Sequence, residues 1–326
     1  MSELPTATTP KAARTVQVPA PRILLLGARG FIGSYVLRQA LGEGMAVVAV
    51  CRTLGSNLPA QAGLKWRAMR LQAMLHASDW QLHLQDIDVV INCVGILRQR
   101  IGERYVDVHH HMPAALAQAC AQSGVRLIHT SALGLHEAAK SRFLSSKLHG
   151  ERSIAASGAD YCIVRPSLID GLGGFGASWL RMLASWPVHF VPSGATGRIA
   201  AVQASDLGLA FAALAIKPSL IDWREANLGG TRHFAYSEYL QLLRGVETNG
   251  AKPAWQIPLP DWVSRIGSHL CDLFRFSPFS YGHWILLQRD NLPLPNALPA
   301  LLQSIGREPQ SVAYTRVALK DDFRLS

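Results

Sequence analysis

Residues 27–33 read Gly27-Ala28-Arg29-Gly30-Phe31-Ile32-Gly33, directly after the apolar run Arg22-Ile23-Leu24-Leu25-Leu26 and at the head of a helical periodicity that ends at Gly42 and Gly44. Strand, glycine turn and helix in that order constrain this chain more than any other feature. The G-x-x-G-x-x-G spacing suits a dinucleotide: glycine permits the tight turn, lets backbone N–H groups approach a pyrophosphate and allows close helix–strand packing, while the helix start supplies partial positive charge. All seven residues, 27 to 33, are therefore expected cofactor contacts. The competing reading is a turn with a purely structural role.

The strand–helix alternation continues. Ala46 to Val50 reads as a second buried strand, Leu64 to Met69 as a weaker third and Asp88 to Asn92 as a fourth. A helix over 105–122 leads to a strand from Val125 to His129, and a helix over 139–156 to one from Tyr161 to Val164. Near-continuous Val/Ile/Leu strands between helices mark a parallel sheet covered on both faces, so the fold class is doubly wound α/β. After Arg165-Pro166 the alternation gives way to Gly/Pro-rich loops and helical segments near 176–186, 205–216, 236–246, 261–275 and 297–305. The expected organisation is a flexible lead over 1–20, a nucleotide-binding core over 21–170, and a smaller, mostly helical lobe over 171–326 interleaved with late core strands.

Of the 326 residues 49% are apolar and 17% charged, which excludes a disordered chain. The net charge of +10, weighted towards the front of the chain, favours an anionic partner such as a nucleotide phosphate, a nucleic acid or an acidic membrane surface. Nucleic acid is set aside, because no recognition helix or aromatic-basic sheet motif accompanies the charge. Five scattered cysteines without a C-x-x-C pair suggest neither disulfides nor zinc, and fit a reducing compartment. No signal-peptide core and no membrane-length apolar run are present, so a cytoplasmic location is expected.

At the end of the second strand, where NAD-preferring sites place Asp or Glu, this chain has Cys51-Arg52-Thr53. A guanidinium pairs bidentately with a 2′-phosphate, and Arg29 reaches the same region. NADP(H) is thus favoured, with NAD(H) as the other option and solvated surface arginines as the bland account.

Five further segments stand in order along the chain: Val90-Ile91-Asn92-Cys93-Val94-Gly95-Ile96-Leu97, Ile128-His129-Thr130-Ser131-Ala132-Leu133-Gly134, Ser146-Lys147-Leu148-His149-Gly150-Glu151, Arg165-Pro166-Ser167 and Asp290-Asn291. With the glycine turn, they make the chain resemble an extended or atypical short-chain dehydrogenase/reductase over residues 22–315. Within that superfamily it is similar to the branch that holds the NADPH-binding accessory subunit of respiratory complex I and its bacterial relatives. The resemblance implies a Tyr-x-x-x-Lys pair on the helix before the sixth strand, with a Ser or Thr near the end of the fifth. The corresponding stretch is Phe143-Leu144-Ser145-Ser146-Lys147. Lys147 remains to lie along the cofactor ribose, but Phe143 has no proton to give, and a lost acid–base group costs about 10²–10⁴ in rate.

The polarising hydroxyl falls at Ala132. Ser131 serves only if the alignment slips by one, and otherwise bonds nearby backbone. Tyr105, His129 and Tyr161 are the remaining proton donors to consider. Backbone cofactor contacts are expected at Leu71, at Cys93-Val94-Gly95, at Thr130 and at Pro166-Ser167, all near carboxyl ends of strands. The basic cluster Lys65/Arg67/Arg70 is either a solvated face or part of the phosphate field.

Three other features need weighing. His109-His110-His111 is no metal site, because consecutive helical residues point about 100° apart. Asp206, with Ser205, reads as a helix cap rather than a substrate residue. Residues 255–284 hold seven of the 25 aromatics, and Trp262, Ile266, Leu270 and Phe274 recur every fourth residue, with Arg265 and Arg275 nearby. That stripe either packs on the lobe's own core or forms a surface for a protein or for the inner face of a membrane. Two functions remain: an NADP(H)-binding accessory, sensor or scaffold protein with a degenerate site, or a reductase or nucleotide-sugar epimerase/dehydratase with a relocated proton donor.

Overall fold

The computed structural model describes residues 20–55, 58–138, 141–217, 220, 222–274 and 281–310. Most of the N-terminal lead, and Arg275, Phe276 and Phe279 of the aromatic stretch, lie outside the described residues, as does the side chain of Phe274. The core elements are β1 (Arg22–Leu26), α1 (Phe31–Gly42), β2 (Ala46–Cys51), β3 (Leu64–Ala68), β4 (Val89–Asn92), a π-helical turn (Asp107–His111) running into α2 (Met112–Ser123), β5 (Arg126–Thr130), α3 (Arg142–Ala155) and β6 (Tyr161–Pro166). Beyond them come β7 (Ile169–Asp170), α4 (Phe175–Ser185), β8 (Val188–Pro192), β9 (Arg198–Ile199), β10 (Val202–Gln203), α5 (Ala204–Ile216), β11 (Glu225–Leu228), β12 (Phe234–Ala235), α6 (Tyr236–Glu247), β13 (Trp255–Leu259), α7 (Asp261–Phe274), α8 (Tyr281–Leu287) and α9 (Leu298–Ser304).

Seven strands form one parallel sheet in the order β11-β6-β5-β4-β1-β2-β3. Side chains alternate across a strand, so Ile23 and Leu25 enter one core with α1, α5 and α9, while Leu24 and Leu26 enter the other with α2 and the fully buried Trp80. Burial on both faces is why these strands are apolar at every position rather than at every second one. The strand order reverses between β1 and β4, and the crevice at their carboxyl ends is where such sheets hold ligands.

Three elements from beyond residue 170 complete this core, α9 being the third through Leu298, Leu301 and Leu302. Strand β11 pairs with β6, and α5 packs against α1 with every residue from Ala204 to Leu214 buried. The helix starts at Ala204, with Gln203 as its uncapped N-terminal neighbour. Asp206 therefore sits inside the first turn instead of capping it, and its carboxylate accepts the Gln310 N–H at 2.7 Å, tying down the segment after α9.

The remaining elements form the lobe. Its centre is an ionic knot joining β7, α4 and α6: Arg181 donates to Asp170 at 2.7 Å through Nη2 and to Glu247 at 2.7 Å through Nη1. Helix α7 is inverted. Ser264 and Ser268 are 5% and 0% exposed, whereas Trp262, Ile266, Leu270 and Leu273 are 66%, 52%, 46% and 70% exposed. The buried serines are satisfied within their own helix, Ser264 Oγ bonding to Pro260 O and Ser268 Oγ to Arg265 O. The sequence stripe at Trp262, Ile266 and Leu270 thus faces outward, not onto the lobe's core. Beside it in the chain, Phe190 of β8 and Trp255 and Ile257 of β13 are exposed too, with Ile257 paired to Phe190. Among the described residues, no helix is long and apolar enough to cross a membrane.

Candidate dinucleotide site

A cleft of about 510 Å³ opens at the β1/β4 crossover, lined by the glycine turn, the end of β2 and the loops after β3 and β4. Gly27 adopts φ +77° and faces the Cys93–Val94 backbone, where a Cβ would come within 3.1–3.2 Å. Gly33 is tighter still, since a Cβ there would lie 2.1 Å from Gly27 O. These contacts pull the start of α1 onto the turn. Gly30 is the N-terminal residue before the helix, no side chain caps it and no acidic residue sits in the first turn. The first-turn amides are consequently left for an external acceptor, and the end carries favourable charge for an anion.

Of the expected contacts, Gly27, Arg29, Gly30, Arg52, Leu71, Cys93, Val94 and Gly95 line the cleft. Ala28, Phe31, Ile32 and Gly33 do not line it, and neither do Thr130, Lys147, Pro166 and Ser167; Ala28 and Gly33 are buried, and the Phe31 ring packs edge-on to Tyr35. Three polar lining side chains have no counterpart in the sequence reading: Gln72, Glu103 and Asp107. The Glu103 carboxylate pairs with the Arg52 guanidinium and accepts Gln72 Nε2 at 3.0 Å. Arg67 donates to His83 O at 3.2 Å and so turns away from any phosphate.

The polar groups beside the loop after β4 are mostly committed to one another. Asn92 Nδ2 meets His129 Nδ1 at 3.1 Å while Asn92 Oδ1 accepts the Val94 N–H at 3.0 Å. Burial pulls His129 down to about 3, so it is neutral. His109 accepts the Ile96 N–H on Nε2 at 3.1 Å, which leaves Nδ1 to donate to Ser146 Oγ at 3.0 Å. Burial, with Lys147 nearby, holds that imidazole well below its ordinary value. Thr130 Oγ1 donates to Cys93 Sγ at 3.6 Å, and burial pushes the Cys93 thiol up to about 12.

Phe143 lies in a ring cluster, its centroid 5.7 Å from Tyr105, 5.5 Å from His109 and 5.7 Å from His283. Lys147 Nζ stands 5.9 Å from the Phe143 ring, and burial draws its ammonium down to about 8 although Glu151 pulls the other way. Ser131 Oγ is buried with no hydrogen-bond partner among the described residues. Tyr105 donates to Leu97 O at 2.8 Å, and Tyr161 lies under Arg224 at the opposite, N-terminal edge of β6. Pro166 O accepts Leu133 N–H, and Ser167 uses its N–H on Leu228 O and its hydroxyl on Asn291 O at 2.8 Å, so these groups bind lobe to sheet. The three consecutive histidines diverge: His109 points to Ser146, His110 to Ser153 and His111 to Asp107.

Residues 27–171, the segment that builds this cleft, match a family model described as NAD(P)H-binding. The chain has the extended short-chain dehydrogenase/reductase fold. Over 157 residues, 45% of this chain and 40% of the relative, it is 31% identical to NADH dehydrogenase (ubiquinone) 1 alpha subcomplex subunit 9, mitochondrial, of Mus musculus. The chain thus spans less than half the length of that relative. With the protein of the same description from Dictyostelium discoideum it shares 23% identity over 78% of this chain and 71% of the other. Among solved structures, UDP-glucuronic acid 4-epimerase from Bacillus cereus, in complex with UDP-glucuronic acid and NAD, superposes with a TM-score of 0.61 over 92% of this chain and 96% of that one, at 19% identity.

Proposed function

We propose that this is an NADP(H)-binding accessory protein whose dehydrogenase site has lost its proton donor, so that the dinucleotide supports the structure instead of turning over. One observation carries the reading: an uncapped, glycine-built phosphate cradle stands intact while the helix position of the family's tyrosine holds Phe143, a ring packed among Tyr105, His109 and His283. The His109 and His129 imidazoles are neutral and engaged, and the Cys93 thiol is held protonated, so none of these three groups is poised to replace the missing phenol. Lys147 keeps its role as a cation along the cofactor ribose, Ser131 is a buried remnant of the polarising hydroxyl, and Arg52 with Arg29 supplies the charge that favours a 2′-phosphate.

A ligand that binds only the folded state stabilises it by RT ln(1 + [L]/Kd), about 2.7 kcal/mol at a hundredfold excess over Kd. NADPH is therefore expected to raise the melting temperature more than NADH, Arg52→Ala to erase the difference, and the loaded protein to leave NADPH unoxidised when carbonyl compounds are added. Equal shifts in the wild type would defeat the arginine argument. Brisk NADPH oxidation, or conversion of a nucleotide sugar, would favour the reductase or epimerase reading instead.

The outward face of α7 and of the β8–β13 ladder supports the accessory role. Exposed large apolar side chains in such number mark an interaction surface, and the mouse relative is by its description a subunit of a larger dehydrogenase. We take the occupant to be a membrane-associated protein partner, which would hold this cytoplasmic protein peripherally at the inner face of a membrane. Trp262 is the anchor, a large side chain two-thirds exposed at the head of the face. Trp262→Glu is expected to leave the folding stability within about 1 kcal/mol of wild type, as exposed sites do, while the protein no longer co-purifies with its complex. Global unfolding would return the stripe to the lobe's core, and loss of liposome binding in its place would make the partner a lipid surface.

A further inference from the structure

Arg52 does not stand alone at the end of β2, because the Glu103 carboxylate pairs with it. Glu103 is delivered into the cleft by a tight turn after β4: Arg100 and Glu103 exchange both backbone hydrogen bonds, at 3.1 and 3.0 Å, across Ile101 and Gly102, the latter at φ +79°. The side chain arrives 11% exposed, accepts Gln72 Nε2 and pairs with Arg52, whose own side chain is 71% exposed. A buried carboxylate thus rests against the one guanidinium at the end of β2, in the same cleft as the phosphate cradle. Such a placement has chemistry of its own. An adenosine 2′-hydroxyl can donate to Glu103 and leave the ion pair alone, whereas a 2′-phosphate must compete for Arg52 and enter the field of a fixed negative charge.

We propose that Glu103 is a specificity-determining residue that tempers the preference of the pocket for 2′-phosphorylated dinucleotides. This rests on the reading that the cleft holds a nicotinamide dinucleotide and that Arg52 meets the 2′-position. Arg52 attracts the phosphate, Glu103 opposes it, and their balance lets one pocket accept both cofactor types. Gln72 keeps the carboxylate from following Arg52 when the guanidinium turns to the phosphate.

The test is equilibrium binding of NADPH and of NADH to the full chain, as wild type, Glu103→Gln, Arg52→Ala and the double variant. Glu103→Gln is expected to raise the ratio of NADPH to NADH affinity about tenfold, equivalent to ~1.4 kcal/mol. Without Arg52 the same substitution is expected to change the ratio by about threefold or less, since double-mutant cycles isolate the coupling between contacting groups. A merely structural glutamate would move both nucleotides together. A ratio that is unchanged or falls in Glu103→Gln, or an effect undiminished by Arg52→Ala, overturns the proposal. If Glu103→Gln unfolds, the ratio of NADPH to NADH affinity in Gln72→Met decides: the released carboxylate then follows Arg52 to the phosphate, so a fall supports the proposal and no fall overturns it. Absence of binding by either nucleotide to the wild type would instead remove the cofactor reading, and this inference with it.

Discussion

Gly33→Ala is expected to weaken dinucleotide binding by a hundredfold or more, roughly 3 kcal/mol at 1.4 kcal/mol per decade. The added methyl would lie 2.1 Å from Gly27 O and 2.7 Å from Gly27 C, distances no packed carbon tolerates. Both neighbours are backbone, so neither can rotate away. Either the turn or the first turn of α1 must move, and each movement takes the uncapped amides away from the place where a pyrophosphate would rest. The same displacement strains the β1–α1 packing, so a fall in stability of about 1–3 kcal/mol is expected alongside, in the range of overpacked cores. Gly42→Ala is the control. It ends the same helix with open space around it, and is expected to bind normally and to gain up to about 1 kcal/mol from reduced chain entropy. Isothermal titration with NADPH and thermal melts on both variants separate the two effects. Normal binding by Gly33→Ala would mean that the phosphates do not sit on α1.

The glycine turn was legible in the sequence because its chemistry is local: seven consecutive residues, flanked by a strand and a helix, state their own geometry. The sheet was legible for a related reason, since burial on both faces writes apolar residues at every strand position from Ile23 to Leu26 and from Val89 to Ile91. Short strands carry no such pattern. Strand β11 contains Glu225 and Asn227 in four residues and sits at the sheet edge, so only its pairing with β6 identifies it. Helix α5 is visible in the sequence as a helix that must be buried, being apolar on every side, but nothing in its own residues names α1 as the surface that covers it.

Orientation is the harder problem. The fourfold spacing of Trp262, Ile266 and Leu270 is the same whether that face points in or out. The discriminating pattern lay on the opposite face, where Ser264 and Ser268 can return their hydroxyls to the helix backbone and so pack without a partner. Glu103 lay beyond reach of any such argument, because its partner Arg52 is 51 positions away and its loop has no periodicity. Sequence separation also hid the tether from Ser167 to Asn291, across 124 positions. What the sequence displays is the backbone cradle; what surrounds it is assembled from loops that meet only in the folded chain.

The lobe's stability is expected to hinge on Arg181 in a way that charge counting does not reveal. Its guanidinium is 6% exposed between Asp170 at 1% and Glu247 at 7%, with bonds of 2.7–3.1 Å to the first and 2.7 Å to the second. The adjacent Tyr239 phenol offers no counter-charge, as burial and the Asp170 carboxylate keep it well above its ordinary value and therefore neutral. Arg181→Met preserves most of the side-chain volume but strands the Asp170 carboxylate and takes one cationic partner from Glu247 in the knot between β7, α4 and α6. Breaking a buried ionic group in this manner costs about 3–5 kcal/mol. At about 2 °C per kcal/mol for a chain of this size, the melting temperature should fall by roughly 6–10 °C. Replacing Asp170 with Asn and Glu247 with Gln in the same chain removes the uncompensated charge and is expected to restore at least half of the loss, because the penalty belongs to the carboxylates deprived of Arg181 rather than to the missing bonds. A single variant within about 1 kcal/mol of wild type, the range of ordinary surface changes, would show that water reaches the knot, and a triple variant no better than the single would assign the loss to packing against Tyr239.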